Sequence, residues 1–523
     1  MTLLEADVRI ETTQRLSKVA DRRLRQPSEV FPTEIKEVPF QALVVTAVHS
    51  TGLGDDNRYG STLGGARIKK IDFNDPTALG DVYQEVNELA RDMSRKWLTL
   101  YRMLLEMQKE GKAHPWEVRS AQMGGGKTII AVADYVEDFE LHLFRSELLA
   151  EFAGHISTLD GKHITAVDMG TNSEDMDLIG NQTEYVACKT VENGGTGDPS
   201  PTTATGVWAG AKALMEIKGI NPSQVTFAVQ GVGNVGSRLI SNIVNDYPNA
   251  SVYVTDIDTE KIKTLQKKYP QVIEVAPEEF WDAPAELFMP CANPYVLNLE
   301  NLQSMRLTGT AQIICGAAND QYPVLDGEPD PQVVRAFHKS GITVAPAPLV
   351  NLGGILHLSS AWWHEHGLPS SVDHHQRTNQ LVLGVGSLIK NLYHKSSQEN
   401  APIEETYLKW VTETYASYLG QKTESQETQQ TIPLNIQPDV LRKHMERTGI
   451  SNPVEADERL RMLIESGTPT TINSHDLPRN MKIRTSGVVE FVRSGNAVFI
   501  TTKTDGIKTV VGLMISSGSR LKY

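Results

Sequence analysis

Val225-Thr226-Phe227-Ala228-Val229-Gln230-Gly231-Val232-Gly233-Asn234-Val235-Gly236 opens the stretch that decides the fold. The apolar run from Val225 to Gln230 reads as a buried strand. The glycines turn the chain, and Leu239, Ile240 and Ile243 then recur at helical spacing. A second strand, Ala250 to Thr255, ends at Asp256. Strand, Gly-x-Gly-x-x-Gly, helix, strand and acid are the parts of a dinucleotide-binding βαβ unit. Gly231 permits the sharp turn, Gly233 lets a pyrophosphate approach the backbone, and Gly236 lets the helix lie close to its strand. The helix N-terminus presents unpaired N–H groups and the positive end of its dipole to the phosphates. Asp256 is placed to accept hydrogen bonds from the adenosine ribose and to repel a 2′-phosphate, which predicts NAD over NADP. Lys261 and Lys263, the cations an NADP enzyme would recruit, fall at helix positions expected to face solvent.

The chain has 523 residues, enough for two or three domains with sizeable cores. Hydrophobic content of 40% and charged content of 22% are ordinary for a globular protein. A net charge of −14 argues against a nucleic-acid or anionic-membrane partner. No apolar run is long enough to span a bilayer, and the acidic start, Met1 to Asp7, lacks a signal core. Cys188, Cys291 and Cys315 are dispersed and suit a reducing cytosol, so a cytoplasmic location is expected.

In chain order, residues 1 to about 38 read as a polar helical arm and a connector holding Pro27 and Pro32. Phe40 to His49 is a strand, followed by a glycine-rich loop from Ser50 to Gly65. Leu79 to about Gly111 carries Leu89, Met93, Trp97, Leu100 and Leu104 on one helical face. Gly124-Gly125-Gly126-Lys127 reads as a glycine loop entering a strand; His163 to Val167 is another strand, ending at Asp168. The segments 141–157 and 204–219 are helical, and Asn351-x-Gly353-Gly354 opens a helix to about His366, with further helices to Leu419 that return towards the first domain. Gly420 to Asp439 reads as a polar linker. Beyond it are expected a helix from Pro453 and three antiparallel strands, 487–493, 497–503 and 507–516.

The expected architecture is therefore α/β. Residues 1–200 form an α/β substrate and oligomerisation domain, and 201–350 a Rossmann dinucleotide-binding domain. Returning helices occupy 351–419, a linker 420–439 and a small α+β appendage 440–523. The appendage holds no catalytic cluster and is expected to serve docking or oligomer formation.

Gly124-Gly125-Gly126-Lys127 lacks the spacing of a phosphate-binding P-loop. A lysine desolvated and crowded by another cation loses basicity and becomes a general base near neutral pH. Asp168, at the carboxyl end of a strand, is placed to shuttle a proton to a reacting nitrogen. His364-x-His366 and His374-His375 superficially suggest a metal site. His-x-His on a helix points two ways, so these are expected to be exposed helix-end histidines, with no metal.

Taken in order, the motifs resemble the glutamate/leucine/phenylalanine/valine dehydrogenase superfamily, most of all its branched-chain and aromatic members. The resemblance covers about residues 38 to 420 and is carried by Leu63-Gly64-Gly65-x-Arg67, Ala90-Arg91-x-Met93-x-x-Lys96, Gly124-Gly125-Gly126-Lys127 and Asp168-Met169-Gly170-Thr171. It continues through Thr203-Ala204-x-Gly206-Val207, the dinucleotide unit, Pro290-Cys291-Ala292, Gly316-x-Ala318-Asn319 and Asn351-x-Gly353-Gly354.

The resemblance implies NAD-dependent oxidative deamination of an apolar or aromatic L-amino acid to the 2-oxo acid and ammonia, by a homo-oligomer. It makes Lys127 the base and Asp168 the proton shuttle. Lys96 would hold the substrate carboxylate beside Gly64 and Gly65, with Met93 and Asn351 also at the substrate. Thr203, Gly231, Gly233, Asn234, Val235, Gly236, Asp256, Ala292 and Asn319 would contact the cofactor.

The chain departs from the family pattern in an extra segment, 97–121, expected to continue the helix and turn. That segment puts the position of Lys96 in question. Asp320 stands where relatives tend to carry an amide, Pro294 follows the cofactor-side turn, and the region past 420 has no counterpart. Two rival readings are a non-catalytic NAD-binding regulator and an enzyme reducing imines formed with another amine.

Overall fold

The computed structural model describes residues 17–49, 62–366 and 373–428, apart from isolated positions, and strand segments between 434 and 522. The expected helix from Pro453 lies outside the described residues.

The first sheet has the order β1-β2-β4-β3-β5, with β1 Glu29–Ile35, β2 Ala42–His49, β3 Thr62–Ile71, β4 Gly124–Ala133 and β5 His163–Val167. β1 and β2 run antiparallel to their neighbours, while β3 runs parallel to both β4 and β5. β1 corrects the expected polar connector. Pro32 is tolerated there because β1 is an edge strand with one side outside the ladder. Gly64 and Gly65 lie inside β3, and Gly124–Gly126 inside β4, where loops were expected.

The physical reason is contact with the long helix Ala78–Lys109, which packs on β4. A Cβ at Gly125 would stand 2.0 Å from the Ala90 carbonyl oxygen and 2.3 Å from the Ser94 nitrogen. Glycine here shortens the distance between strand and helix rather than making a turn. One helical face buries Leu89, Met93, Trp97, Leu100 and Leu104, as its periodicity predicts.

The second sheet is wholly parallel, in the order β13-β10-β9-β6-β7-β8. Its strands are β6 Thr226–Gln230, β7 Ser251–Thr255, β8 Val272–Glu274, β9 Leu287–Pro290, β10 Ile313–Ile314 and β13 Thr343–Val344. A short hairpin, β11 Val324–Leu325 with β12 Glu328–Pro329, separates β10 from β13. The order reverses at β6, where β7 lies on one side and β9 on the other; in doubly wound folds the ligand crevice lies at this switch point. β6, β7 and β9 are largely buried on both faces, which accounts for their continuous apolar runs.

Helices Gly353–His366, His374–Val382, Gly384–Glu399 and Ile403–Thr428 follow the second sheet. The last of them packs on the long helix: Tyr407 Oη lies 2.9 Å from Thr99 Oγ1, and Tyr101 packs edge-on against Tyr418 with ring centroids 5.6 Å apart. The last helix extends through Thr428, so the expected linker is helical at its start. Leu434–Ile436, within the same expected linker, is a strand running parallel to Ile507–Ser517. The three expected C-terminal strands are present as Val488–Ser494, Ala497–Thr504 and Ile507–Ser517, paired antiparallel. Thr468–Thr470 and Arg520–Lys522 add to this sheet.

Candidate active site

β3, β4 and β5 start in register at Thr62, Gly124 and His163, β5 stops level with Ala66, and the long helix packs on β4. Lys127, on β4, is buried, and its Nζ lies 2.7 Å from Asp168 Oδ2 just past β5. Arg67 Nε, on β3, donates to the same oxygen at 2.8 Å. Burial lowers the pKa of Lys127 and Arg67 lowers it further, against the opposing pull of Asp168. Burial alone would raise Asp168, but Lys127 and Arg67 together hold it well below the usual carboxylate range. The desolvated, crowded lysine expected from sequence is thus assembled, and Arg67 supplies the crowding cation.

Gly64 and Gly65 sit opposite. β3 pairs with β4 at Leu63↔Gly125 and again at Ala66↔Thr128, and the ladder lapses between them. A Cβ on Gly64 would lie 1.8 Å from the Gly126 carbonyl oxygen, and one on Gly65 would lie 2.7 Å from Asp168 Cβ. Only glycines let β3 pass this close to the Lys127–Asp168 pair. Met93 crowds the same point, its terminal methyl 3.2 Å from where the Gly64 Cβ would stand.

Lys96 is buried and reaches Asn319 despite the extra segment. The helix simply continues to Lys109, turns, and forms a short helix, Pro115–Ser120. That short helix docks on the helices Gly353–His366 and His374–Val382, where Arg377 forks onto Glu117 with both contacts at 2.6 Å and Ser120 Oγ meets Ser359 Oγ at 2.7 Å. Lys96 Nζ instead donates to Asn319 Oδ1 at 2.7 Å. Burial lowers Lys96 to about 8; Asp92 opposes the shift and Lys127 adds to it. Asn351 Nδ2 donates to the same Asn319 oxygen at 2.8 Å and to the Ala317 carbonyl at 3.0 Å. Asn351 Oδ1, buried, is left without a protein partner.

Asn319, expected at the cofactor, therefore also ties the second sheet to Lys96. Its neighbour Asp320 lies against Asp92. Burial and the Asp92 carboxylate push Asp320 above its usual range, against the opposing pull of Lys96 and Arg95. Glu85 and the Asp92–Asp320 pair carry no site signal in the sequence, because nothing in their spacing shows that separate elements bring them together. Arg67 at least stood inside a quoted motif.

The glycine turn after β6 behaves as its spacing predicts. Gly231 has φ +88°, and a Cβ on Gly236 would stand 1.9 Å from the Gly231 carbonyl oxygen. A Cβ on Gly233 would meet nothing within 4 Å, which leaves open space at the N-terminus of the helix Asn234–Asp246. Asn234 and Val235 open that helix, and exposed Ala292 stands across the turn, its Cβ 2.8 Å from where a Gly231 Cβ would lie. Asp256 follows β7, and its two oxygens accept from the backbone N–H groups of Val232 at 2.6 Å and Asp258 at 2.9 Å. Lys261 and Lys263 pair with Asp258 and Glu260 of their own helix, at 3.4 and 2.7 Å. Thr203 lies in the first turn of the Ser200–Lys218 helix, its hydroxyl against the start of the Gly353–His366 helix. These residues fit a dinucleotide: one glycine makes the turn, one lets the helix pack, and one leaves room for the pyrophosphate.

The histidine expectation needs correction. His374 is buried rather than exposed, because its helix turns it onto His357, with ring centroids 4.7 Å apart.

Residues 194–416 match the model of the Glutamate/Leucine/Phenylalanine/Valine dehydrogenase family. The chain is 30% identical over 317 residues to a leucine dehydrogenase of Bacillus subtilis, covering 60% of this chain and 74% of that one. It is 30% identical over 321 residues to a phenylalanine dehydrogenase of Caldalkalibacillus thermarum, with the same coverages of 60% and 74%. An L-tryptophan dehydrogenase structure from Nostoc punctiforme superposes with TM-score 0.52 at 22% identity, covering 76% of this chain and 98% of that one. The fold and site define an oxidoreductase of the amino-acid dehydrogenase class. The chain belongs to the Glutamate/Leucine/Phenylalanine/Valine dehydrogenase family. Among the described residues, no helix is long and apolar enough to cross a membrane.

Proposed function

We propose that this chain catalyses the reversible, NAD-dependent oxidative deamination of an apolar or aromatic L-amino acid to its 2-oxo acid and ammonia. The observation that carries this reading is the buried Lys127 Nζ, 2.7 Å from Asp168 and crowded by Arg67. Lys96 and the Gly64–Gly65 backbone would hold the substrate carboxylate. Asn351 Oδ1 would accept from the substrate amino group, an N–H donor that its own surroundings do not supply. Asp168 would exchange a proton with that nitrogen, and Lys127, once neutral, would take a proton from the attacking water. A bound nicotinamide would supply the acceptor for hydride from the substrate α-carbon. The Gly231–Gly236 turn, Thr203, Ala292 and Asn319 would hold the cofactor.

Asp256 supports NAD because it brings negative charge to the ribose side, while the nearby lysines are engaged by their own helix. An apolar side chain is supported by Arg67 and Lys69, both of which are already bound to Glu85, with Arg67 also on Asp168. Neither is left to neutralise a second substrate carboxylate. The leucine and phenylalanine dehydrogenase relatives point the same way. We assign substrate binding and oligomer formation to residues 1–200, cofactor binding to 201–350, and docking between copies to the appendage. The dispersed cysteines favour a cytoplasmic location, and the family resemblance favours a homo-oligomer.

The test is a screen of the twenty L-amino acids with NAD and with NADP, following reduced cofactor by absorbance. Turnover with an aliphatic or aromatic amino acid and NAD is expected. Equal or higher efficiency with NADP would overturn the reading of Asp256. NAD binding without turnover on any amino acid would favour the regulatory rival.

A further inference from the structure

A second cluster of functional groups lies where the Gly353–His366 and His374–Val382 helices meet the turn at Gly197. His357 Nδ1 and His374 Nε2 face each other at 3.4 Å. Each ring is held from behind: His357 Nε2 lies 3.2 Å from the Gly197 carbonyl oxygen, and His374 Nδ1 lies 2.8 Å from Ser360 Oγ. His375 completes the group, its ring centroid 6.1 Å from that of His357 and 5.2 Å from that of His374. One nitrogen from each of the three rings lies within 4.8 Å of the other two.

A carbonyl oxygen can only accept a hydrogen bond. Gly197 therefore fixes the proton of His357 on Nε2 and leaves Nδ1 as a lone pair aimed at the other two rings. Metal-binding histidines are held this way, the outer N–H on a carbonyl, carboxylate or water and the inner nitrogen free to ligate. The spacing agrees. Zinc binds imidazole nitrogen at about 2.0–2.1 Å in a tetrahedron, which sets ligand nitrogens about 3.3–3.4 Å apart. The observed 3.4 Å between His357 and His374 matches that edge, and it is long for a direct hydrogen bond. His375 is exposed at the start of its helix, so its ring can close onto an ion without disturbing the two buried partners.

We propose that His357, His374 and His375 form a binding site for one divalent transition metal of the zinc type. Three neutral imidazoles suit zinc, nickel or copper rather than magnesium or calcium. The ion would pin the two helices to each other and, through His357, to the Gly197 turn that precedes the Ser200–Lys218 helix. Its role is structural. None of the three histidines is among the residues assigned to the substrate or the dinucleotide.

The test uses the untagged full chain, stripped with chelator and titrated with zinc chloride by calorimetry. One zinc per chain is expected, with a thermal midpoint that rises with free zinc as mass action requires. Cobalt in place of zinc should give the visible bands of a tetrahedral site. His375→Ala, at an exposed position, should fold normally and weaken zinc by on the order of tenfold or more, since losing a ligand costs at least as much as losing a group behind one. His357→Gln should abolish the zinc-dependent rise in midpoint. A wild-type midpoint that ignores zinc would overturn the proposal. Zinc bound equally well by both variants would overturn it too, because the metal would then sit elsewhere among the chain's 14 histidines. If His357→Gln fails to fold, the affinity of His375→Ala decides the matter. The amino-acid and cofactor specificity of the chain has no bearing on either measurement.

Discussion

Replacing Lys127 by Met keeps most of the side-chain volume and removes only the ammonium. In the structure that ammonium is buried, lies 2.7 Å from Asp168 and is made less basic by burial and by Arg67. Two consequences separate cleanly. Turnover should fall on the order of 10²- to 10⁴-fold, the usual cost of losing a general base. At 1.36 kcal/mol per decade, that is about 3–5 kcal/mol of lost transition-state stabilisation. Folding should suffer less than the about 3–5 kcal/mol of a broken buried ion pair, because Arg67 still donates to Asp168 at 2.8 Å. The assay is steady-state formation of reduced cofactor across pH, with cofactor affinity measured separately. Wild-type kcat/KM should rise with pH as the lysine loses its proton, and the variant should lack that limb. Cofactor affinity should be unchanged. Turnover within a few-fold of wild type, with the same pH profile, would refute the assignment of Lys127.

Lys96→Met should raise the substrate KM by on the order of 10²-fold, from the about 2–5 kcal/mol lost when one partner of a buried charge contact is removed. A wild-type KM would mean the carboxylate is held elsewhere. The same variant tests linkage: Lys96 sits at about 8 against an ordinary 10.5, so between these values the unfolded chain binds more protons. The wild type should therefore gain stability relative to Lys96→Met as pH rises from 8 towards 10.5, seen as diverging unfolding midpoints. Gly233→Ala, whose Cβ meets nothing within 4 Å, should leave the thermal midpoint unchanged and weaken cofactor binding. Gly125→Ala, whose Cβ would stand 2.0 Å from the Ala90 oxygen, should lower stability by about 1–3 kcal/mol or prevent folding. A chain ending at Thr428, where the last helix stops, should keep cofactor binding and turnover while its native mass changes; a catalytically dead product of unchanged mass would give the appendage a role in the site.

The dinucleotide unit was legible because every signal in it is local. An apolar run, a glycine spacing and a helical repeat lie within a few turns of one another, and β6, the following helix and β7 are all where the sequence puts them. The long helix and the three longer C-terminal strands were legible for the same reason. The glycines at 64–65 and 124–126 were misread as loops because glycine marks two different needs, a positive φ and a missing Cβ. Sequence alone does not distinguish them. The structure shows the second, in the crowding of β3, β4 and the long helix. Pro32 hid β1 in the same way, since whether a proline interrupts a sheet depends on which strand lies at its edge.

Lys127, Asp168, Lys96 and Asn351 could be named from their motifs. That Arg67 shares the Asp168 oxygen with Lys127, that Asp320 lies against Asp92, and that His374 turns inward onto His357 could not. Each of these contacts joins elements far apart in the chain or depends on the angle between two helices. By itself the sequence determined which residue types are present and the local backbone that carries them. The tertiary structure alone decided which charges face one another, because Coulomb energy and desolvation depend on distances set by the packing of separate elements, and no spacing along the chain encodes those distances.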